Sequence, residues 1–108
     1  MNQKAESYCV AFHETIELLG RRWNGVILYA LLGGAERFGE IRDVVPGISD
    51  RLLTQRLREL ECEGLLDRVC AAGSRAAPRY TLTEKGRALS PVLNAISGWA
   101  RRWAPTRG

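Results

Sequence analysis

Four apolar runs at helical spacing precede Gly64; two short β-rich runs and one further helical run follow it. Tyr8 to Leu19 predicts a first helix in which Val10, Ile16 and Leu19 share a side and Gly20 is the stop. Trp23 to Leu32 predicts a second, with Trp23, Val26, Ile27, Ala30 and Leu31 falling at i, i+3, i+4, i+7 and i+8 and Gly33-Gly34 ending it. Phe38 to Val44 predicts a short third helix with Phe38, Ile41 and Val45 inward, and Pro46-Gly47 predicts a turn.

The segment ISDRLLTQRLRELECEGLL, Ile48 to Leu66, carries two faces. Leu53, Leu57 and Leu60 stack on one side of a helix running from about Ser49, a suitable N-cap, to Glu63. Arg51, Thr54, Gln55 and Arg58 stack on the opposite side. Their side chains are donors and acceptors suited to base edges and phosphates. An ordinary solvated helix face has the same spacing, so the pattern alone leaves both readings open. Gly64 ends the helix.

Beyond it, Leu66 to Ala71 and Tyr80 to Thr83 predict the strands of a β-hairpin, with a turn-prone Ala72 to Pro78 between them. Arg75 and Arg79 are placed to reach phosphates or a minor groove from its tip. Thr83 predicts the N-cap of a last helix, with Glu84 at its positive end. Leu89, Val92, Leu93, Ile96, Trp99 and Trp103 form its apolar stripe, and Pro91 marks a kink or a first turn. Met1 to Ser7 and Ala104 to Gly108 read as loose ends.

The 108 residues support a single domain, 1–108, with its core at about 9–103. The net charge of +4 permits a nucleic-acid partner without requiring one. No signal peptide or membrane-length apolar run is present, which predicts a cytoplasmic protein that does not engage a membrane. Three cysteines without CxxC spacing and one histidine argue against a disulfide scaffold, a metal site or a cofactor. No nucleophile–base arrangement, glycine-rich phosphate loop or carboxylate pair points to an enzyme.

The order helix, helix, short helix, turn, polar-faced helix, hairpin is that of a winged helix-turn-helix, an α+β, mostly helical fold. In it the second helix of the turn pair, here about 49–63, enters the major groove, and the wing, about 66–83, lies on flanking phosphates or the minor groove. The chain resembles the HxlR-type regulators, related to the MarR group. The matching residues are Cys9; Gly20, Arg22, Trp23, Ile27, Leu28 and Leu31; Arg37, Phe38 and Ile41; Gly47 to Leu60; Glu63-Gly64-Leu65; Tyr80 to Gly86; and Trp99.

The resemblance implies a bacterial transcriptional regulator that binds double-stranded operator DNA as a homodimer. It puts the first and last helices at the two-fold axis, with Val92, Leu93, Ile96, Trp99 and Trp103 in the interface. Three departures stand out: Val10 and Gly25 where proline and a larger apolar residue are common, and Pro78 where a β-branched strand residue is usual. Proline cannot donate to the ladder, so strand pairing should start after it.

On this reading Ser49 offers its backbone N–H to a phosphate, Thr54 and Gln55 sit nearer the base edges, and Arg51 and Arg58 serve either. Asp50 either caps the helix or accepts from a cytosine amine. Some members of the family look like thiol sensors, which makes Cys9 the candidate redox residue; a buried, inert thiol is the plainer alternative. Cys62 and Cys70 carry no assignment of their own. Two further functions stay in view. One is a regulator that answers to a small-molecule effector near the dimer helices. The other is a winged-helix protein-interaction module, which would not follow nucleic acid.

Overall fold

The computed structural model describes residues 3–73 and 75–104, with side chains from residue 10 onward. The elements run α1 (Gln3–Gly20), α2 (Asn24–Leu32), α3 (Phe38–Val44), α4 (Asp50–Cys62), β1 (Leu66–Val69), β2 (Arg79–Leu82), α5 (Glu84–Arg87) and α6 (Ser90–Trp103). This is the mostly helical, hairpin-bearing arrangement of a winged helix-turn-helix.

The joint between α1 and α2 is set by two residues. Trp23 has φ +80°, a left-handed conformation that no helix interior accepts, so α2 begins at Asn24 and not at Trp23. Asn24 is fully buried, and its Nδ2 donates to the Leu18 carbonyl at 2.9 Å, which satisfies one of the open carbonyls at the end of α1. Within α2 the core side comprises Ile27, Leu28, Ala30 and Leu31. Val26, expected inward, is exposed; a helix this apolar on every side hides which stripe the core selects.

The third helix is capped by Glu40. Its carboxylate accepts from the N–H groups of Arg37 at 2.8 Å and Glu36 at 3.1 Å. These backbone bonds, the Arg37 one foremost, hold its carboxyl below the ordinary range. Ile41 and Val45 are fully buried and Phe38 packs beside them, as the spacing predicts.

In α4, Leu53, Leu57 and Leu60 are all buried, and they join Ile27, Leu28, Ile41, Leu65 and Leu66 in the core. Burial on this scale contributes about 1.5–3 kcal/mol per large apolar side chain, which fixes the roll of α4 about its axis. The hairpin pairs Leu66 with Leu82, Arg68 with Tyr80 and Val69 with Arg79. The ladder thus starts directly after Pro78, and the first strand stops short of the predicted Ala71.

The C-terminal helix is two helices. Thr83 caps α5 as expected, accepting from the Gly86 N–H at 3.1 Å. The chain then breaks at Ala88–Leu89, and Pro91 sits in the first turn of α6. A proline in a continuous helix would clash with the carbonyl four residues earlier, that of Arg87, and α5 ends there. Along α6 itself the apolar residues divide between two sides. Leu93 is only 6% exposed and packs into the core of its own chain. Val92, Ile96, Trp99 and Trp103 remain outward.

Candidate nucleic-acid interface

The packing of Leu53, Leu57 and Leu60 leaves the other side of α4 in solvent. Arg51, Thr54, Gln55 and Arg58 all line one groove of about 1040 Å³ between α4 and α1, with Cys62 at its end. The structure therefore brings together the four side chains that the spacing predicts. Arg51 and Arg58 are exposed, and neither forms an ion pair among the described residues. The Thr54 hydroxyl donates to the Asp50 carbonyl at 2.8 Å and keeps its oxygen as an acceptor. The Gln55 amide donates from Nε2 to Glu59 Oε1 at 3.3 Å.

The start of α4 is organised differently from the expectation for Asp50. Ser49 is the cap, its hydroxyl accepting from the Leu52 N–H at 3.1 Å. The Asp50 carboxylate instead receives Arg42 Nη1 at 3.2 and 3.3 Å on its two oxygens. That bridge ties α3 to the first turn of α4. It lies in solvent, so it orients more than it stabilises. At the other end, Lys85 Nζ donates to the Glu63 carbonyl at 2.7 Å, a cation on the negative pole of the helix.

Arg75 is exposed on the hairpin tip. Arg79 is less free: its Nη1 lies 3.6 Å from Glu36 Oε2, which draws it toward the α2–α3 connection. Cys9, the candidate redox thiol, lies outside the residues whose side chains are described. Among the described residues, His, Cys, Asp and Glu side chains form no cluster suited to a metal ion, and no helix is long and apolar enough to cross a membrane.

A further cluster joins the end of α1 to α4. Glu59 gathers Arg21 from the end of α1 and Arg56 and Gln55 from α4 itself. Partial desolvation pushes its carboxyl up, but the bonds from Arg21, Gln55 and Arg56 outweigh that and hold it below the ordinary 4.5. The spacing of Gln55, Arg56 and Glu59 signals the local contacts. Nothing in the sequence signals Arg21, which is 38 positions away.

This geometry is that of a helix-turn-helix transcription factor. The profile of the HxlR-like helix-turn-helix family matches residues 18–107, and the chain belongs to that family, one of transcriptional regulators and not of enzymes. It is 41% identical over 103 residues to the HTH-type transcriptional regulator YvaP of Bacillus subtilis, covering 95% of this chain and 94% of YvaP. Among solved structures it is similar to the reduced form of the redox regulator HypR, at TM-score 0.79 and 34% identity over 85% of this chain and 91% of that one. It is also similar to quinone-bound YodB from B. subtilis, at TM-score 0.76 and 39% identity over 88% of this chain and all of that one.

Proposed function

We propose that the protein is a cytoplasmic, homodimeric regulator that binds operator DNA sequence-specifically, with α4 in the major groove and the hairpin on the flanking backbone. The observation that carries this reading is the division of α4: Leu53, Leu57 and Leu60 buried, and Arg51, Thr54, Gln55 and Arg58 together on the open side. Ser49 stands at the helix N-terminus, where its backbone N–H is offered to a phosphate. Arg75, exposed at the hairpin tip, is the wing residue placed to meet the flanking DNA backbone.

Association of two copies is supported by apolar surface that one chain cannot bury. Trp99 and Trp103 are 63% and 62% exposed, and Val92 and Ile96 lie on the same helix with them. Val10, Phe12 and Ile16 are likewise exposed on α1. The radius of gyration, 15.9 Å, exceeds the roughly 13 Å of a compact domain of this length, as expected for a chain shaped to fit a second. A two-fold pair would read a roughly palindromic site with half-sites about one helical turn apart or a multiple of it.

A second reading, in which oxidation or a small molecule sets DNA affinity, is favoured by two relatives: HypR, a redox regulator, and YodB, seen with a quinone bound. Cys9 is the thiol we assign to that role. Gel shifts on the DNA flanking the protein's own gene, reduced and then oxidised, at two salt concentrations, test both readings. Tight binding that weakens steeply with salt supports the operator reading. A change on oxidation that Cys9→Ser abolishes supports the second. Absence of binding in every condition overturns the first and favours a protein-interaction module.

A further inference from the structure

We propose that Glu59 is a positioning residue for Gln55, holding its amide in the orientation that reads adenine. The inference rests on the DNA-binding reading and names one element of its specificity.

The two oxygens of the Glu59 carboxylate are divided between different tasks. Oε2 receives Arg21 Nη1 at 3.1 Å and Arg56 Nη1 at 2.9 Å. Oε1 receives Gln55 Nε2 at 3.3 Å. The anchor for Oε2 is itself anchored, because Arg56 is largely buried and its Nε donates to the Arg22 carbonyl at 3.1 Å. The carboxylate is therefore fixed from the α1–α2 joint as well as from its own helix. Its contact with Gln55 is more than the meeting of two mobile surface side chains.

This arrangement decides which way round the Gln55 amide stands. Turning it over would set the amide oxygen against Oε1, acceptor against acceptor, with the carboxylate unable to swing aside. In the observed orientation one N–H is spent on Glu59, leaving the second N–H and Oε1 for a partner. One donor beside one acceptor complements the N7 and N6–H of adenine in the major groove. Guanine presents two acceptors there and cytosine a donor, so neither satisfies both atoms.

The test is selection from a pool of randomised DNA duplexes, sequenced for wild type, Gln55→Ala, Glu59→Ala and Glu59→Gln. Wild type should enrich adenine at one position in each half-site, and Gln55→Ala should erase that enrichment. Glu59→Ala should lower it about tenfold while leaving the other positions intact. Glu59→Gln has a single oxygen, which Arg21 and Arg56 claim, so its NH2 faces Gln55 and this variant too should lose the adenine enrichment at that one position, whereas a purely structural role would weaken every position alike. Glu59→Met, with an equivalent stem and no carboxylate, repeats the comparison if Glu59→Ala is unfolded. Undiminished adenine enrichment in both Glu59→Ala and Glu59→Met overturns the proposal. A wild type that enriches no sequence, or a Gln55→Ala profile identical to wild type, overturns instead the reading of α4 on which it rests.

Discussion

The carbonyl oxygen of Leu65 occupies the place where a side chain on Gly86 would begin. That oxygen cannot retreat, because it accepts the Thr83 N–H at 3.0 Å. The Thr83 hydroxyl in turn donates to the Gly64 carbonyl at 2.6 Å and accepts from the Gly86 N–H. Gly64, Leu65, Thr83 and Gly86 thus form one clasp, which locks the exit of α4 to the foot of the hairpin. Gly86→Ala forces backbone from backbone and should lower stability by about 1–3 kcal/mol or more. Urea denaturation of the variant at the wild-type midpoint would contradict the clasp.

The open side of α4 predicts a graded response in DNA binding. Arg51→Ala and Arg58→Ala remove exposed charges with no ion-pair partner among the described residues, so the fold should survive. A base contact should cost about 1–3 kcal/mol at one position of the site; a phosphate contact should weaken all sequences alike and reduce the salt slope by about 1. Titrations at several salt concentrations separate the two. Unchanged affinity in both variants would remove α4 from the interface.

Two neighbours on α6 should behave oppositely. Ile96→Asp puts a charge into the outward apolar stripe and should give monomers or insoluble protein. Leu93→Ala leaves that stripe alone but empties a core position, at a cost of about 2–5 kcal/mol in folding stability. Sedimentation and chemical denaturation together check the pair. A soluble Ile96→Asp dimer of normal affinity would point to another interface.

The Glu59 carboxyl is held below its ordinary value of 4.5 in the folded chain. Its contribution to stability is therefore complete above that value and fades as pH falls through the lowered one. Glu40, held by the Arg37 and Glu36 N–H groups, has the same sign. Denaturation midpoints should fall with acidification, less steeply in Glu59→Gln than in wild type. Parallel curves for the two proteins would show that the carboxylate contributes nothing to this dependence.

Removing the cap of α4 should be felt locally. Ser49→Ala leaves the Leu52 N–H without its acceptor and should cost about 1 kcal/mol, read by thermal denaturation. Ser49→Asp should restore most of it, since a carboxylate also caps.

Local periodicity made much of this legible. The two sides of α4, the inward set of α3 and the caps at Ser49 and Thr83 depend on residues three or four apart, and the structure places them as the spacing predicts. What escaped depends on distant partners or on backbone geometry. Trp23 matches the stripe of α2, yet its positive φ takes it out of the helix. Leu93 lies within two turns of Ile96 and Trp99 on α6, but it falls on the side that packs against the core, while Val92, Ile96, Trp99 and Trp103 share the other. Arg42 meets Asp50 and Arg21 meets Glu59 only because the turns between them fold as they do.

The hairpin has one more property, visible in the bonds along the outer margin of β2. The Tyr80 N–H donates to the Glu36 carbonyl at 2.7 Å, and the Leu82 carbonyl accepts from Arg87 Nη1 at 2.6 Å. Both are groups that an extended strand would otherwise leave unsatisfied. With a loop holding one and a guanidinium the other, β2 is a poor template for the backbone of another molecule. One of the two margins of this small sheet is thereby closed to accretion by a strand from another molecule.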